Sequence, residues 1–434
     1  MKRITILCIA LFFSAIPCFS QSDSPQDDPS GFSEIEKKRE NNFVKRIEMP
    51  HRFFEMGWTV DFDISNNYFN IKDIFKEHIV IDFTEIAKNI SKAGFLVNVN
   101  VSPSFFINLN LKNGFHFNIS TGIESYGRVN IGKGLFDLLG NGKQLNKDVD
   151  IDLGISGDVF AYIGTAFGLN IQDYHIELMP SLYMPIFHVE TSNGKATFSN
   201  NDDTFINATA SATLACYSFL DLESFMKLDI DAMLENLKKG WGFDLYSSIE
   251  HPIFRSLVGK LYSRFPIVPG QLNYVAKTEF ASEFEIEKLT SLFSGSGSIK
   301  NNFESKDFEH EKTTFKIHRP FKIGTEVAWR PFGKWCVLDA MIGLGVKKPF
   351  TNDFHAFFEY NFSISTDLFI KNWDMLGIKF STGRIDEVFK HSLAVMINLR
   401  AVEVNVGVSA VAGSFIPSVQ LAGVGAYATV CIGF

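Results

Sequence analysis

After its first twenty residues the chain has no apolar run long enough to cross a membrane as a helix, which takes about 20 residues. Cysteine is scarce, with five in 434 residues, and Cys8 and Cys18 fall in the first twenty. Cys216, Cys336 and Cys431 are odd in number, far apart and set in strand-like runs. That excludes a disulfide framework and a CxxC metal site. Positive charge is also short: the formal charge is −8, and loss of Lys2 and Arg3 would take it to −10. A nucleic-acid partner wants a basic face, so none is expected. Signatures of catalysis are missing too, with no HExxH, GxSxG or P-loop. Gly132-Lys133-Gly134 and Gly140-Asn141-Gly142-Lys143 lack the strand–loop–helix spacing of a phosphate cradle and read as turns. Glu309-His310-Glu311 reads as part of a solvated loop, so neither an enzyme nor a cofactor is expected.

What is present begins with Met1-Lys2-Arg3, a mostly apolar run from Ile4 to Ile16, and Pro17-Cys18-Phe19-Ser20. A basic start, a short apolar core and a small residue before Gln21 make residues 1–20 a secretory signal peptide. Residues 21–52 then form an N-terminal segment, and residues 53–434 the main body.

That body alternates. Phe54, Met56, Trp58, Val60, Phe62 and Ile64 share one face, with Glu55, Gly57, Thr59, Asp61 and Asp63 on the other. The same period of two recurs at 95–111, 115–126, 148–171, 174–190, 205–219, 241–251, 256–264 and 273–287. It continues at 313–330, 335–346, 353–366, 375–383, 392–399, 402–410 and 418–434. These are sixteen candidate strands, or fourteen if two are merged. Lipid offers no partner to an unpaired backbone group, so strands can cross a membrane only as a closed barrel. The expected fold is therefore all-β, a transmembrane antiparallel β-barrel of about 14–16 strands with an N-terminal plug segment and short helical inserts.

The connections support closure. Tight ones at 112–114, 172–173, 331–334 and 400–401 are even-numbered, and long polar ones near 65–94, 127–147, 191–204 and 288–312 are odd-numbered. Barrels with both termini in the periplasm show this pattern, with short turns inside and long loops outside. Trp241, Trp329, Trp335 and Trp373 fall at strand ends assigned to the periplasmic side, where tryptophan gathers at the interface. The last strand ends in an aromatic, Phe434, as barrel-assembly signals do. Helices are expected at 34–47, at 83–93 with Asp82 as N-cap, and at 222–239, which carries an apolar stripe ended by Gly240.

Several of these features together resemble the FadL-type long-chain fatty-acid transporter barrels and related barrels of unassigned function. They are the segment before the first strand, the run Gly240-Trp241-Gly242-Phe243-Asp244-Leu245 after a helix, the paired short strands 241–251 and 256–264, and Phe434. The resemblance implies that residues 21–52 plug the lumen. It carries over no ligand-binding residue.

The expected location is the outer membrane, with its lipid and the barrel-assembly machinery as partners. The expected function is a channel or transporter for small nutrients, a small hydrophobic ligand among them. The alternative is an adhesin-like or structural barrel acting through surface loops. If apolar faces meet lipid, the opposite faces gather carboxylates in the lumen: Asp61, Asp63, Glu124, Asp150, Asp152, Glu177, Asp339 and Glu359. The inward bases on this reading are few, chiefly Lys277, Lys322, Arg330 and Lys379, so a basic plug bearing Lys37, Lys38, Arg39, Lys45 and Arg46 would complete the pairing.

Overall fold

A computed structural model describes residues 53–70, 82–90, 94–111, 115–141, 149–199, 206–220, 240–254, 256–286, 299–305, 309–332, 335–370, 373–399 and 401–434. The expected signal, the segment 21–52 and the helices at 34–47 and 222–239 lie outside these residues.

Among the described residues eighteen strands form one sheet, antiparallel throughout. The first nine are β1 (Phe54–Asn66), β2 (Phe95–Asn110), β3 (His116–Ile131), β4 (Val149–Ile171), β5 (Tyr174–Ser199), β6 (Ile206–Ser218), β7 (Gly242–Phe254), β8 (Leu257–Val268) and β9 (Gly270–Ile286). The rest are β10 (Ile299–Ser305), β11 (Glu309–Ile317), β12 (Phe321–Trp329), β13 (Cys336–Lys347), β14 (His355–Ile370), β15 (Trp373–Ile385), β16 (Val388–Asn398), β17 (Val402–Ala412) and β18 (Gly423–Gly433).

Some of these are continuations of others. β5 pairs with β7 through His175–Tyr183 and with β6 through Phe187–Ser199, so β6 and β7 lie end to end in one wall position. β8 likewise runs on into β9, and β10 and β11 run on into β12. The eighteen strands thus make a ring of fourteen, closed where β1 pairs with both β2 and β18. The segments 205–219 and 241–251 are one wall position, as are 256–264 and 273–287.

Two zones follow from strand length. β7, β8, β12 and β15 to β18 have 9 to 13 residues, close to the 9–11 of a tilted transmembrane strand. β4 and β5, with 23 and 26 residues, overshoot that span. In the shared zone large apolar side chains point outward and exposed, among them Trp58, Val60, Ile163, Leu178, Phe362, Ile378 and Val430. In the overshoot, made of the outer parts of β4 and β5 with β6, β9, β10 and β11, the pattern inverts. Ile151, Ala196, Ala215, Leu272, Ala276 and Ile317 are buried, while Asp152, Lys195, Lys277, Glu279, Glu311 and Lys316 are exposed. Apolar side chains face out where lipid surrounds the wall and face in where water does. The wall is therefore a transmembrane barrel with a tall extension on one side. Residues 299–305 and 309–312, expected as loop, are strands of that extension, and Glu309-His310-Glu311 lies on β11.

Wall and extension meet at a core of Phe160, Tyr183, Met184, Phe219, Leu220, Leu272 and Ile317. The Tyr183 hydroxyl donates to the Val268 carbonyl (2.8 Å) and accepts from Gly270 N–H (3.2 Å). Its ring fills the space where any residue but glycine at 242 would place a Cβ.

The β2–β3, β4–β5, β12–β13 and β16–β17 turns share one end of the barrel, and the long connections share the other with the two-residue β15–β16 turn. Two helices pack in the long connections. α1 (Phe83–Asn89) is capped by the Asp82 carboxylate, which accepts from Thr84 and Glu85 N–H, and it ends sooner than the expected residue 93. α2 (Lys133–Asn141) covers residues expected as a turn-rich loop. Ile86, Ala87 and Ile90 pack on Phe136 between them, and Gly140 lies flat against the Phe83 carbonyl. α3 (Phe415–Val419) precedes β18 and replaces the start of the segment 418–434. Trp329 and Trp335 are exposed at the tight-turn end, as expected. Trp241 is not there, because it opens β7 at the junction with the extension. Phe434 caps the seam, its N–H bonded to the Phe54 carbonyl (3.0 Å) and its ring stacked on Phe54 at 5.3 Å.

A valine at Gly140 would drive its side chain into the Phe83 carbonyl. Gly140→Val should separate α1 from α2 while the barrel keeps its heat-modifiable gel migration. Limited proteolysis should then cut at Lys88 and Lys133 sooner than in the parent, and unchanged cleavage would refute the packing.

Candidate functional site

The inner face of the wall carries charge that the strand pattern places there, and the charges meet across the lumen. Lys390 on β16 reaches Asp61 (3.0 Å) and Asp63 (2.9 Å) on β1, and Ser409 donates to Asp63. Glu124 on β3 accepts from Arg319 Nη2 (2.6 Å) and from Arg264 Nη1 on β8 (3.0 Å). Arg319, in the link between β11 and β12, also donates to Asp244 on β7 (2.8 Å) and stacks its guanidinium over the Tyr162 ring. Arg319 and Asp244 are 3% and 1% exposed, so this pair is sealed from water. Lys322 on β12 bridges Glu359 (2.9 Å) and Asp386 (2.7 Å). Asp339 accepts from Ser363 (2.8 Å), with Lys379 at 3.7 Å. Glu177 is half-buried and lies in the field of Lys260, which itself faces Glu326 at 3.6 Å.

Six of the eight carboxylates expected in the lumen are thus accounted for on the wall. Asp152 is not among them, since it is exposed on the extension opposite Lys195. The side chain of Asp150 is outside the described residues. The expected bases change more. Lys322 and Lys379 are inward, but Lys277 is exposed on the extension and Arg330 sits at the β12–β13 turn. Arg264, Arg319 and Lys390 hold Asp61, Asp63, Glu124 and Asp244, with Lys347 on Glu387, and none of these bases was anticipated. Arg264, Lys347 and Lys390 lie at or beyond the end of a strand segment read from the sequence, where alternation gives no facing, whereas Arg319 lies inside the segment 313–330, which the structure breaks between β11 and β12. These bases come from the wall itself, while the segment 21–52 lies outside the described residues.

The outer mouth is crossed by contacts. The β15–β16 turn, Asp386-Glu387, has both residues in the left-handed region (φ 48° and 71°) and folds into the opening. Glu387 accepts from Lys347 (2.6 Å) and pairs with His355 (2.7 Å), and Asp386 N–H donates to Glu359 (2.9 Å). Lys347 also lies 3.7 Å from the centre of the Tyr126 ring. Tyr126 is on β3, six positions from β13 in a ring of fourteen, so this contact spans nearly the full diameter. Beside it Lys348 binds Glu190 on β5 (2.7 Å). Sitting deep in the mouth disfavours charge on the turn carboxylates, but Lys322 beside Asp386 and Lys347 beside Glu387 outweigh this. Both are held below the usual carboxylate range.

Two cavities flank this clasp. The larger, 640 Å³, is lined by Asp61, Asp63, Lys390, Ser381, Ser392 and Tyr427 among others. The smaller, 370 Å³, is lined by Glu124, Arg264, Tyr162, Tyr246 and Tyr262 among others. Tyr126 and Asp386 line both, so the clasp stands between them. Among the described residues no group of His, Cys, Asp and Glu is arranged to hold a metal ion.

No protein-family model matches the sequence, and no curated protein does. Among solved structures the chain is similar to a deltaS2 mutant of the monoaromatic hydrocarbon channel TodX. The two are 10% identical over 88% of this chain and 90% of that one, with a TM-score of 0.42. It is similar to a FadL homologue from Pseudomonas aeruginosa, with 9% identity, coverage of 88% and 90%, and a TM-score of 0.40. It is also similar to the translocator domain of the autotransporter NalP from Neisseria meningitidis, with 7% identity, coverage of 93% and 97%, and a TM-score of 0.35. What the chain does has to be read from its own interior.

Removing Arg319 would leave Asp244 buried with no counter-charge and Glu124 with only Arg264. Arg319→Met should cost about 3–5 kcal/mol, as breaking one side of a buried pair does. The check is the urea midpoint of the barrel in vesicles, and an unmoved midpoint would show that the cluster does not hold the wall.

Proposed function

We propose that this chain is an outer-membrane conduit for small solutes, closed at its outer mouth by the Asp386-Glu387 clasp. One observation carries the reading. Two cavities inside the barrel are separated by side chains and a turn that reach across the lumen, and not by the wall itself. A barrel built only as a scaffold has no need of cavities on either side of a narrow ionic bridge. The apolar outer band supports the membrane placement, and the direction of the turns supports periplasmic termini.

The interior also favours one kind of cargo. Its lining mixes Phe106, Met396 and Tyr427 with serines, asparagines and paired ions. A solute with net charge has to break an internal pair or remain unpaired in a narrow space, whereas an uncharged one does neither. Uncharged small molecules, hydrophobic ones included, therefore fit better than a free fatty-acid anion. The tall extension favours a second reading, a barrel that meets other molecules at the surface through its polar outer face.

Bilayer recordings separate the two. Asp386→Asn combined with Glu387→Gln should raise conductance several-fold over the parent. The parent's conductance should also be flat from neutral pH into mild acid and rise only below about pH 4, the ordinary carboxylate range. The sign follows from the depressed values: the clasp holds above the ordinary pKa and is lost as pH falls through the lowered ones. If the double variant neither conducts nor passes uncharged solutes in vesicle swelling, the conduit reading fails and the surface role gains.

A further inference from the structure

The outer rim is uneven in chemistry as well as in height. On the tall side the exposed positions are polar: Asp152, Lys195, Lys277, Glu279, Glu311, Lys312 and Lys316. On the low side the β17–β18 tip is apolar. α3 exposes Phe415, Ile416 and Val419 at 53%, 68% and 61%. Residues 413–421 contain no Asp, Glu, Lys or Arg.

α3 is held in a fixed attitude. Ser418, fully buried, donates from its hydroxyl to the Phe415 carbonyl (2.6 Å) and meets His391 Nε2 (3.0 Å). The Phe415 ring packs edge-on against Phe389 at 5.8 Å. The polar side of the short helix is thus tied to the barrel, and its apolar side is turned away from it.

That apolar side is continuous with the lipid-facing band. Directly beneath it the wall presents Leu393, Val408, Val424 and Val430, all exposed. From Val424 to Phe434 the outward residues of β18 run ten steps along the strand. At about 3.3 Å per residue and a tilt near 40°, this covers about 25 Å along the membrane normal. That is the full height of a barrel's apolar band. α3 begins where the band ends, at the boundary between acyl chains and headgroups, where an apolar face on a polar-backed helix is held.

We propose that α3, on the low rim, is a lipid-embedded anchor. It sinks into the acyl–headgroup boundary of the outer leaflet, while the extension stands in water. The proposal rests on the transmembrane barrel and not on whether the barrel conducts.

Depth-resolved fluorescence tests it. The full-length chain, with its cysteines replaced by serine or alanine, would carry a single bimane label at Ile416→Cys or, separately, at Lys312→Cys. It would be reconstituted in phosphatidylcholine vesicles with and without 5-doxyl lipid. Heat-modifiable migration selects folded protein, and Val419→Cys serves if Ile416→Cys does not fold. The label at 416 should be quenched by doxyl lipid several-fold more than the label at 312, and iodide should quench the two in the opposite order. Equal quenching by iodide would overturn the anchor. Shielding of position 416 from both reagents would overturn it too, by showing that protein covers α3.

Discussion

A strand in lipid has no water to turn to, so every backbone N–H and C=O in the spanning zone must find a neighbour. The pairing of β1 with β18, from Glu55–Gly433 to Ser65–Gly423, is what meets that demand for the whole sheet. Much of the rest depends on it. Once the sheet is a ring, one face of every spanning strand is committed to lipid and the other to an enclosed space. The period of two then decides where each charge goes. Asp61, Asp63, Glu124, Glu359 and their bases are inside because the alternate positions, such as Val60 and Phe62, are outside.

Enclosure raises the stakes for those charges. Attraction and desolvation both grow as water is excluded, so a carboxylate on this inner face needs a cation within reach. The wall supplies it from distant strands, which ties together positions that the backbone ladder does not connect. Arg319 links β3 with β7, Lys390 links β16 with β1, and Lys347 reaches from β13 to β3. The same contacts that satisfy the charges narrow the lumen. In this protein electrostatic satisfaction and occlusion are one arrangement, and a change that relaxes one relaxes the other.

How much could be read beforehand depended on whether a residue sat mid-strand or at an end. Asp61 and Glu124 lie within clean alternation, and the wall faces that carry them were legible. Arg264 and Lys347 lie at the ends of their segments, and Arg319 lies inside 313–330, where an unbroken period of two puts it opposite Lys322; the break between β11 and β12 that turns it inward has no mark in the alternation. The zone of the extension was harder still. Asp152 sits in good alternation, but the rule that apolar means outward holds only where lipid surrounds the wall, and β4 leaves the lipid before that point. α2 escaped notice because Gly132, Gly134 and Gly140 look like turn residues. At least Gly140 is glycine for a different reason, the close approach of Phe83. The merging of β6 with β7 could not be seen at all, since it depends on β5 serving two partners in succession.

That last arrangement bears on the order in which the chain assembles. The hairpin of β7 and β8 is nested inside the pairing of β6 with β9, whose first contact is Ser218 with Tyr274. Joined directly, those two residues would close a loop of more than fifty residues. With β7 and β8 already paired, the loop left to close is the 219–241 link, less than half that length, and closure costs about 0.6 kcal/mol less. The spanning hairpin therefore favours the extension that is built on it. The part of the molecule that stands farthest into water is the part that must wait for the membrane to organise its base.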